Sequence, residues 1–321
     1  MPKAPVRAKW PLPSWLEEQL SGVSWESMYE PFAGQAAISR YFKRRGKQVI
    51  ASDLLESHYC FLLGLVENDH VLVSREVANG WLQLIKDPEV ATRFQPWANR
   101  HVTPEEAIWL GVWNAHLSRP GLDPVQRALG AIAVCLTLSY WLSFDPKAHP
   151  HKPMSPPVAF QHYLQTVNTW VCNNGRRNQA LRGDAYALGP KVEADLLVCY
   201  PPTEMGFLDY PEPLRLFEAW VQGDPALPLP GTTEEARGKP TLGTPLPDPD
   251  AYHEALKRFL SRSEHFPLWA IAFNDRYPLD EKRMLGLVTE FRPVVRRAGL
   301  HIATGERGPA PGERLLIAKA P

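Results

Sequence analysis

The segment ADLLVCYPP is the strongest constraint on the fold of this chain. Leu196–Cys199 is an apolar run bounded by turn-forming residues, and it stops at two consecutive prolines, Pro201 and Pro202. A strand apolar on both faces must be covered on both, as in a parallel sheet between helical layers. Proline lacks an amide hydrogen and has a fixed φ, so the pair ends strand pairing and turns the chain stiffly. In open α/β sheets, ligands bind outside the carboxyl ends of the strands. The corner Tyr200-Pro201-Pro202-Thr203 is therefore either a stiff loop or one wall of a binding site.

The rest of the chain supplies elements for such a sheet. A strand is expected at 24–29, a turn at 30–35, a helix up to Arg45 stopped by Gly46, the strand QVIAS ending near Asp53, and a helix over 55–67. Ahead of them, Ser14 followed by Glu17 reads as a capping box for WLEEQL. The last third offers a helix at 251–263, the strand LWAIAFN, a helix at 279–297, and two strand candidates, LHIAT and RLLIAKA. Strands alternating with helices imply a doubly wound α/β sheet.

Residues 70–165 differ. EVANGWLQLIKDPEV, PEEAIWLGVWNAHL and DPVQRALGAIAVCLTLSYWL have helical apolar spacing and no strand alternation, and a Pro/His-rich loop, DPKAHPHKPMSPP, follows. The expected organisation is an α/β domain from 1–69 and 166–321, a helical insertion at 70–165, and a mobile Pro/Gly-rich loop at 225–249.

Charge is balanced, with 35 basic and 35 acidic residues, so any nucleic-acid surface must be a local patch. Cys60, Cys135, Cys172 and Cys199 lie far apart without zinc-ligand spacing; they read as reduced core thiols, and no metal site is expected. No apolar run reaches membrane-spanning length and MPKAPVRAKWPLPSW is not a secretory leader, so a cytoplasmic protein with no membrane partner is expected.

Four places carry candidate chemistry. EPFAGQAA, Glu30–Ala37, takes a strand through a Gly turn into a helix, which exposes backbone N–H groups to a ligand; only Gly34 of a full glycine series is present, and a purely structural turn explains it equally. Asp53 follows the Gly turn by about twenty residues, where an acid accepts ribose hydroxyls or caps LLESHY. Asp184, after Gly183, stands near a substrate or in a turn. Arg176 and Arg177 either contact nucleic-acid phosphates or are simply solvated. Three further features read as structural: the basic run Lys43–Lys47 as a solvated helix end, Trp109 and Trp113 as core, and Cys199 as a buried strand thiol.

Together these motifs resemble the Dam-type adenine-specific DNA methyltransferases. EPFAGQAAISRYFKRRGKQVIASDL is similar to that family's methionine-pocket loop, helix and acidic ribose-binding residue, and GDAYALGPKVEADLLVCYPPT to the approach to its catalytic Asp-Pro-Pro-Tyr motif. FPLWAIAFNDRYP resembles the next strand, with Phe273 and Asn274 matching part of its end, and AKWPLPSW sits where the family has a Lys-Trp-Ala-Gly-Gly-Lys-like segment. The resemblance implies a Rossmann-like methyltransferase sheet, S-adenosylmethionine as cofactor and double-stranded DNA as partner. It implies cofactor contacts at Lys9, Trp10, Pro31, Phe32, Gly34 and Asp53, base-holding residues at Tyr200, Pro201, Pro202 and Thr203, and DNA recognition in the helical insertion. The chain departs from the pattern in four ways. The family's acid is Tyr200, its stacking Tyr is Thr203, its second loop glycine is Ala36, and its Gly-Gly-Lys is missing. A tyrosine is not an anionic acceptor at neutral pH and a threonine cannot stack, so an inactive DNA- or partner-binding relative is the alternative reading.

Overall fold

The computed structural model describes residues 12–145, 152–202, 212–226, 241–244, 246–300 and 312–321. The chain divides into two compact units. One is the sheet unit, Val6–Leu55, Asn174–Tyr210 and Leu229–Pro321; the other gathers Glu56–Asn173 with Pro211–Pro228.

The sheet unit contains β1 (Ser27–Glu30), β2 (Gln48–Asp53), β3 (Gln179–Arg182), β4 (Leu196–Cys199), β5 (Leu268–Asn274), β6 (Val294–Leu300) and β7 (Glu313–Lys319). Their order is β3-β2-β1-β4-β5-β7-β6. β1 through β5 pair in parallel, and β7 runs antiparallel between β5 and β6. The chain leaves β1 in one direction and β4 in the other, so the strand order reverses between them. That reversal defines the crevice of a doubly wound sheet. The arrangement is the doubly wound α/β sheet that the alternating elements implied.

Burial follows the sequence pattern. All four residues of β4 and all seven of β5 are buried. On one face Trp269, Ile271 and Phe273 pack with Tyr252, Leu256 and Phe259 of α11 (Pro249–Ser261) and with Met284, Leu287 and Val288 of α12 (Glu281–Phe291). On the other side of the chain order, α1 (Leu12–Gln19) and α2 (Ala37–Arg44) flank β1. Gly46, at φ +80, ends α2 where a side chain would be strained. Just before it, Arg44 and Arg45 are exposed as a solvated end requires, but Lys43 is fully buried, against the expectation for that run.

The second unit holds α3 (Glu56–Leu62) with a π-helical turn at Leu63–Glu67, α4 (Arg75–Trp81), α5 (Pro88–Thr92), α6 (Pro104–Leu117), α7 (Pro124–Trp141), α8 (Pro156–Asn168) and α10 (Glu212–Gln222). The Thr103–Glu106 capping box opens α6, and Asp123 caps α7. Trp113 stacks on Trp141 and Phe160 with centroids 5.7 and 4.7 Å apart, so the aromatic spacing of IWLGVW serves the core. Gly111 allows α5 to approach α6: an added Cβ would lie 1.9 Å from the Val90 carbonyl oxygen.

Several expectations are corrected. Ser14 lies inside α1, which begins at Leu12, and so is not its cap. The helix expected at 279–297 ends at Phe291, because Pro293 disfavours helical backbone at Arg292; β6 takes the residues beyond. Helix α8 escapes the sequence pattern because prolines mark loops, yet Pro156 and Pro157 occupy the first turn, where no amide hydrogen is needed. Strand β3 escapes it because four mixed residues at a sheet edge carry no alternation. LHIAT reaches the described residues only through Leu300, and most of the loop expected at 225–249 lies outside them. Cys60, Cys135 and Cys199 are buried and Cys172 is half-buried, and none of the four is in a disulfide. Among the described residues, no helix is long and apolar enough to cross a membrane, and no group of three metal-ligating side chains occurs.

Candidate active site

The carboxyl ends of β1 and β2 form one side of the crevice. Glu30 ends β1 and is buried. Its Oε2 accepts hydrogen bonds from the Ser39 N–H at 3.0 Å and from the Ser39 hydroxyl. Ser39 lies in the first turn of α2, whose capping position is Ala36, a residue with no side-chain acceptor. Glu30 therefore supplies from β1 the acceptor that the helix start lacks. Burial is the dominant influence on its carboxyl, pushing it up to about 8 against the two bonds from Ser39, with the charge of Asp53 adding to the rise.

The loop Pro31–Ala36 is pinned from β2. The Ala33 N–H donates to the Ser52 carbonyl at 3.1 Å, and the Gly34 N–H donates to Asp53 Oδ2 at 3.0 Å. The Ser52 hydroxyl donates to the Pro31 carbonyl at 3.2 Å, and Phe32 packs on Phe259 at 5.2 Å. Gly34 and Ala36 both have left-handed backbone, φ 54 and 60. Nothing lies within 4 Å of a Cβ built on Gly34, while Ala36 is fully buried. The Ala36 methyl thus packs into the protein and leaves the open side of the loop clear. That geometry leaves room for a ligand beside Gly34.

Asp53 has a second bond, from the Leu55 N–H to Oδ1 at 3.0 Å. The cap of α3 comes from elsewhere. The first amides of that helix, Glu56 and Ser57, donate to the Glu218 carboxylate of α10 at 3.1 and 2.8 Å. Asp53 is instead the tie between the Gly turn and the end of β2. Asp184 follows β3 and caps the short helix α9 (Ala185–Leu188) through the Tyr186 N–H at 3.0 Å. The sheet order puts it on the Asp53 side, three strands from the end of β4.

The corner after β4 is built differently. The Tyr200 hydroxyl donates to Glu313 Oε2 at 2.9 Å and accepts from Asn274 Nδ2 at 2.6 Å. Asn274 and Glu313 are register partners on β5 and β7. The Tyr277 hydroxyl donates to the Pro201 carbonyl, and the Tyr252 hydroxyl to the Pro202 carbonyl at 2.9 Å. Burial raises the Glu313 carboxyl above its usual range despite the bonds from Tyr200 and Asn274. Burial also pushes the Cys199 thiol far up, which excludes it as a nucleophile at neutral pH. An open cavity of about 510 Å³ borders these strand ends, lined by Asn274, Asp275, Tyr277 and Arg314 among others.

The structure thus brings Pro31, Phe32, Gly34, Asp53, Tyr200, Pro201 and Pro202 to the carboxyl edge of the sheet. Arg176 and Arg177 precede β3 and lie at the opposite, amino edge, where Arg176 pairs with Glu26 at 3.0 Å and donates to the Gly46 carbonyl at 3.3 Å. Lys9, Trp10 and Thr203 lie outside the described residues. Sequence reasoning missed Glu30, Tyr252, Tyr277 and Glu313 as site residues. Glu30 carried a signal, an acid closing an apolar strand; Glu313 is set only by the register of β7 on β5.

Among solved structures, the chain is similar to the delta-N METTL16 MTase domain at 8% identity, covering 98% of this chain and 82% of that one with a TM-score of 0.34. A comparison with curated proteins finds no match. A family model described as D12 class N6 adenine-specific DNA methyltransferase matches residues 8–101. That segment includes β1, the Pro31–Ala36 loop and Asp53, and it is over these residues that the chain is similar to that family.

Proposed function

We propose that the protein is an S-adenosylmethionine-dependent methyltransferase acting on the exocyclic amine of adenine in double-stranded DNA. The observation that supports this reading is the Pro31–Ala36 loop at the strand-order reversal, pinned by Asp53 and Glu30 with its open side clear. In this reading the loop backbone beside Gly34 receives the methionine tail, and Asp53 receives ribose hydroxyls. A carboxylate accepts up to about four hydrogen bonds, so anchoring Gly34 and Leu55 is compatible with that task. In the same reading the corner at Tyr200, Pro201 and Pro202 receives the base. The bound cofactor supplies a methyl group on a positively charged sulfur; the chain orients the accepting nitrogen toward it.

A second reading, a donor-binding protein without transfer, is favoured by the two proline carbonyls that already receive tyrosine hydroxyls. Calorimetric titration with S-adenosylmethionine, followed by labelled-methyl transfer to mixed-sequence duplex DNA, separates them. Micromolar binding, weakened at least about tenfold by Asp53→Asn, with label appearing in DNA is the expected result. Binding without transfer selects the second reading, and no binding at millimolar donor overturns both.

A further inference from the structure

We infer that Glu313 and Asn274 position Tyr200 as the proton acceptor of the corner, so that a tyrosine backed by a distant acid works where the family has a carboxylate. This rests on the methyl-transfer reading above. The three side chains end three adjacent strands, β4, β5 and β7, on the edge where the crevice opens. Glu313 and Asn274 are both buried. The hydrogen bonds that Glu313 takes from Tyr200 and Asn274 come from neutral donors; the neighbouring Arg314 guanidinium is directed to Asp275 and Glu281, and of the nearby charges Asp275 raises the Glu313 carboxyl while Arg276 lowers it. Burying a carboxyl against neutral partners is costly, and a neutral glutamine would fill a merely structural role more cheaply.

The chemistry requires such a pair. As the amine nitrogen bonds to the methyl carbon, the carbon–sulfur bond breaks and its electron pair returns to sulfur, which becomes neutral. The positive charge passes to nitrogen. Its N–H proton then moves to the Tyr200 oxygen while the Tyr200 proton moves to a Glu313 carboxylate oxygen. The balance closes with a neutral methylated amine, a neutral thioether and a protonated Glu313. Tyr200 alone cannot do this, since a phenol that gains a proton without losing one becomes a cation. Burial places Glu313 nearer to neutral pH than an ordinary carboxylate, where a general base is most effective.

The test uses the full chain with Glu313→Gln, Tyr200→Phe, the double variant and Tyr200→Asp. Transfer of labelled methyl to duplex DNA and calorimetric donor affinity are read together. Each single variant is expected to lower transfer roughly 100-fold, the range of one general base, with donor affinity within about threefold. The double variant falls no further, because the two residues act as one unit. Tyr200→Asp retains transfer and becomes indifferent to Glu313→Gln. In the unliganded protein, labelled-tyrosine NMR should show the Tyr200 ring following a titration above the ordinary carboxylate range, absent from Glu313→Gln. Wild-type transfer by Glu313→Gln, or loss of that linked titration, overturns this inference alone. No transfer by the wild-type chain overturns the enzymatic reading and this inference with it.

Discussion

The two sides of the crevice are held together over different distances along the chain. On the side proposed to hold the methyl donor, the donor side, Glu30 reaches Ser39 across nine residues and Asp53 reaches Gly34 across nineteen. On the side proposed to hold the base, the base side, Tyr200 reaches Asn274 across 74 and Glu313 across 113. The donor side ties carboxylates mainly to backbone amides, with the Ser39 hydroxyl as a side-chain donor to Glu30. The base side ties the Tyr200, Asn274 and Glu313 side chains to one another, so each of these three must be the right residue, while Tyr252 and Tyr277 hold the proline carbonyls. Substitutions on the first side should act through backbone order and stability, and substitutions of Tyr200, Asn274 or Glu313 through chemistry at the corner.

The sharpest probe of this contrast is pH. Glu30 has its carboxyl raised to about 8 by burial, well above the ordinary value it has in an unfolded chain. The folded state therefore favours its protonated form. The stability it contributes is fully present below the unfolded value and is lost as pH rises through about 8. A tenfold difference in proton affinity between folded and unfolded chain is worth about 1.4 kcal/mol, so melting curves should show a fall of several degrees between pH 5 and pH 8. Glu30→Gln should flatten most of that slope; an unchanged slope would show that another group carries it.

Tyr277→Phe addresses the other side. It removes one hydroxyl from the Pro201 carbonyl and nothing from the donor loop. A loss of about 1 kcal/mol in denaturant unfolding is expected, with donor affinity unchanged. A weakened donor affinity would mean that the two sides are coupled rather than separately built.

The smallest effect is expected at Ala36, a non-glycine residue with left-handed backbone. Ala36→Gly relieves that strain by up to about 1 kcal/mol, offset in part by the greater freedom of glycine when unfolded. A modest rise in melting temperature with donor affinity kept or improved is the expected result. A fall in both would show that the buried methyl is needed for packing.

The same contrast explains what could be read from the residues alone. The parallel sheet was legible because β4 and β5 are continuous apolar runs, and the turn at Gly34 because Gly34 and Asp53 keep a spacing that local geometry sets. The helical cores were legible from their period, as Trp109 and Trp113 show. The family model covers residues 8–101 and so reaches only the donor side. Glu313 was invisible because its relation to Tyr200 depends on β7 inserting antiparallel between β5 and β6, a choice that no local pattern encodes. Arg176 and Arg177, read from the sequence as phosphate contacts or as simply solvated, lie before the start of β3, at the edge opposite the strand ends that carry Asp53 and Tyr200.

The position of β7 has a consequence in time. Contacts between residues far apart in sequence form late in folding, after the entropy of closing long loops has been met. They also open early when the strand that carries them frays. The donor loop, fastened over a few dozen residues, can be complete in a molecule whose seventh strand has not yet docked or has let go. On the methyl-transfer reading, such a molecule would hold its methyl donor and remain silent, and heating should extinguish transfer before it releases the ligand.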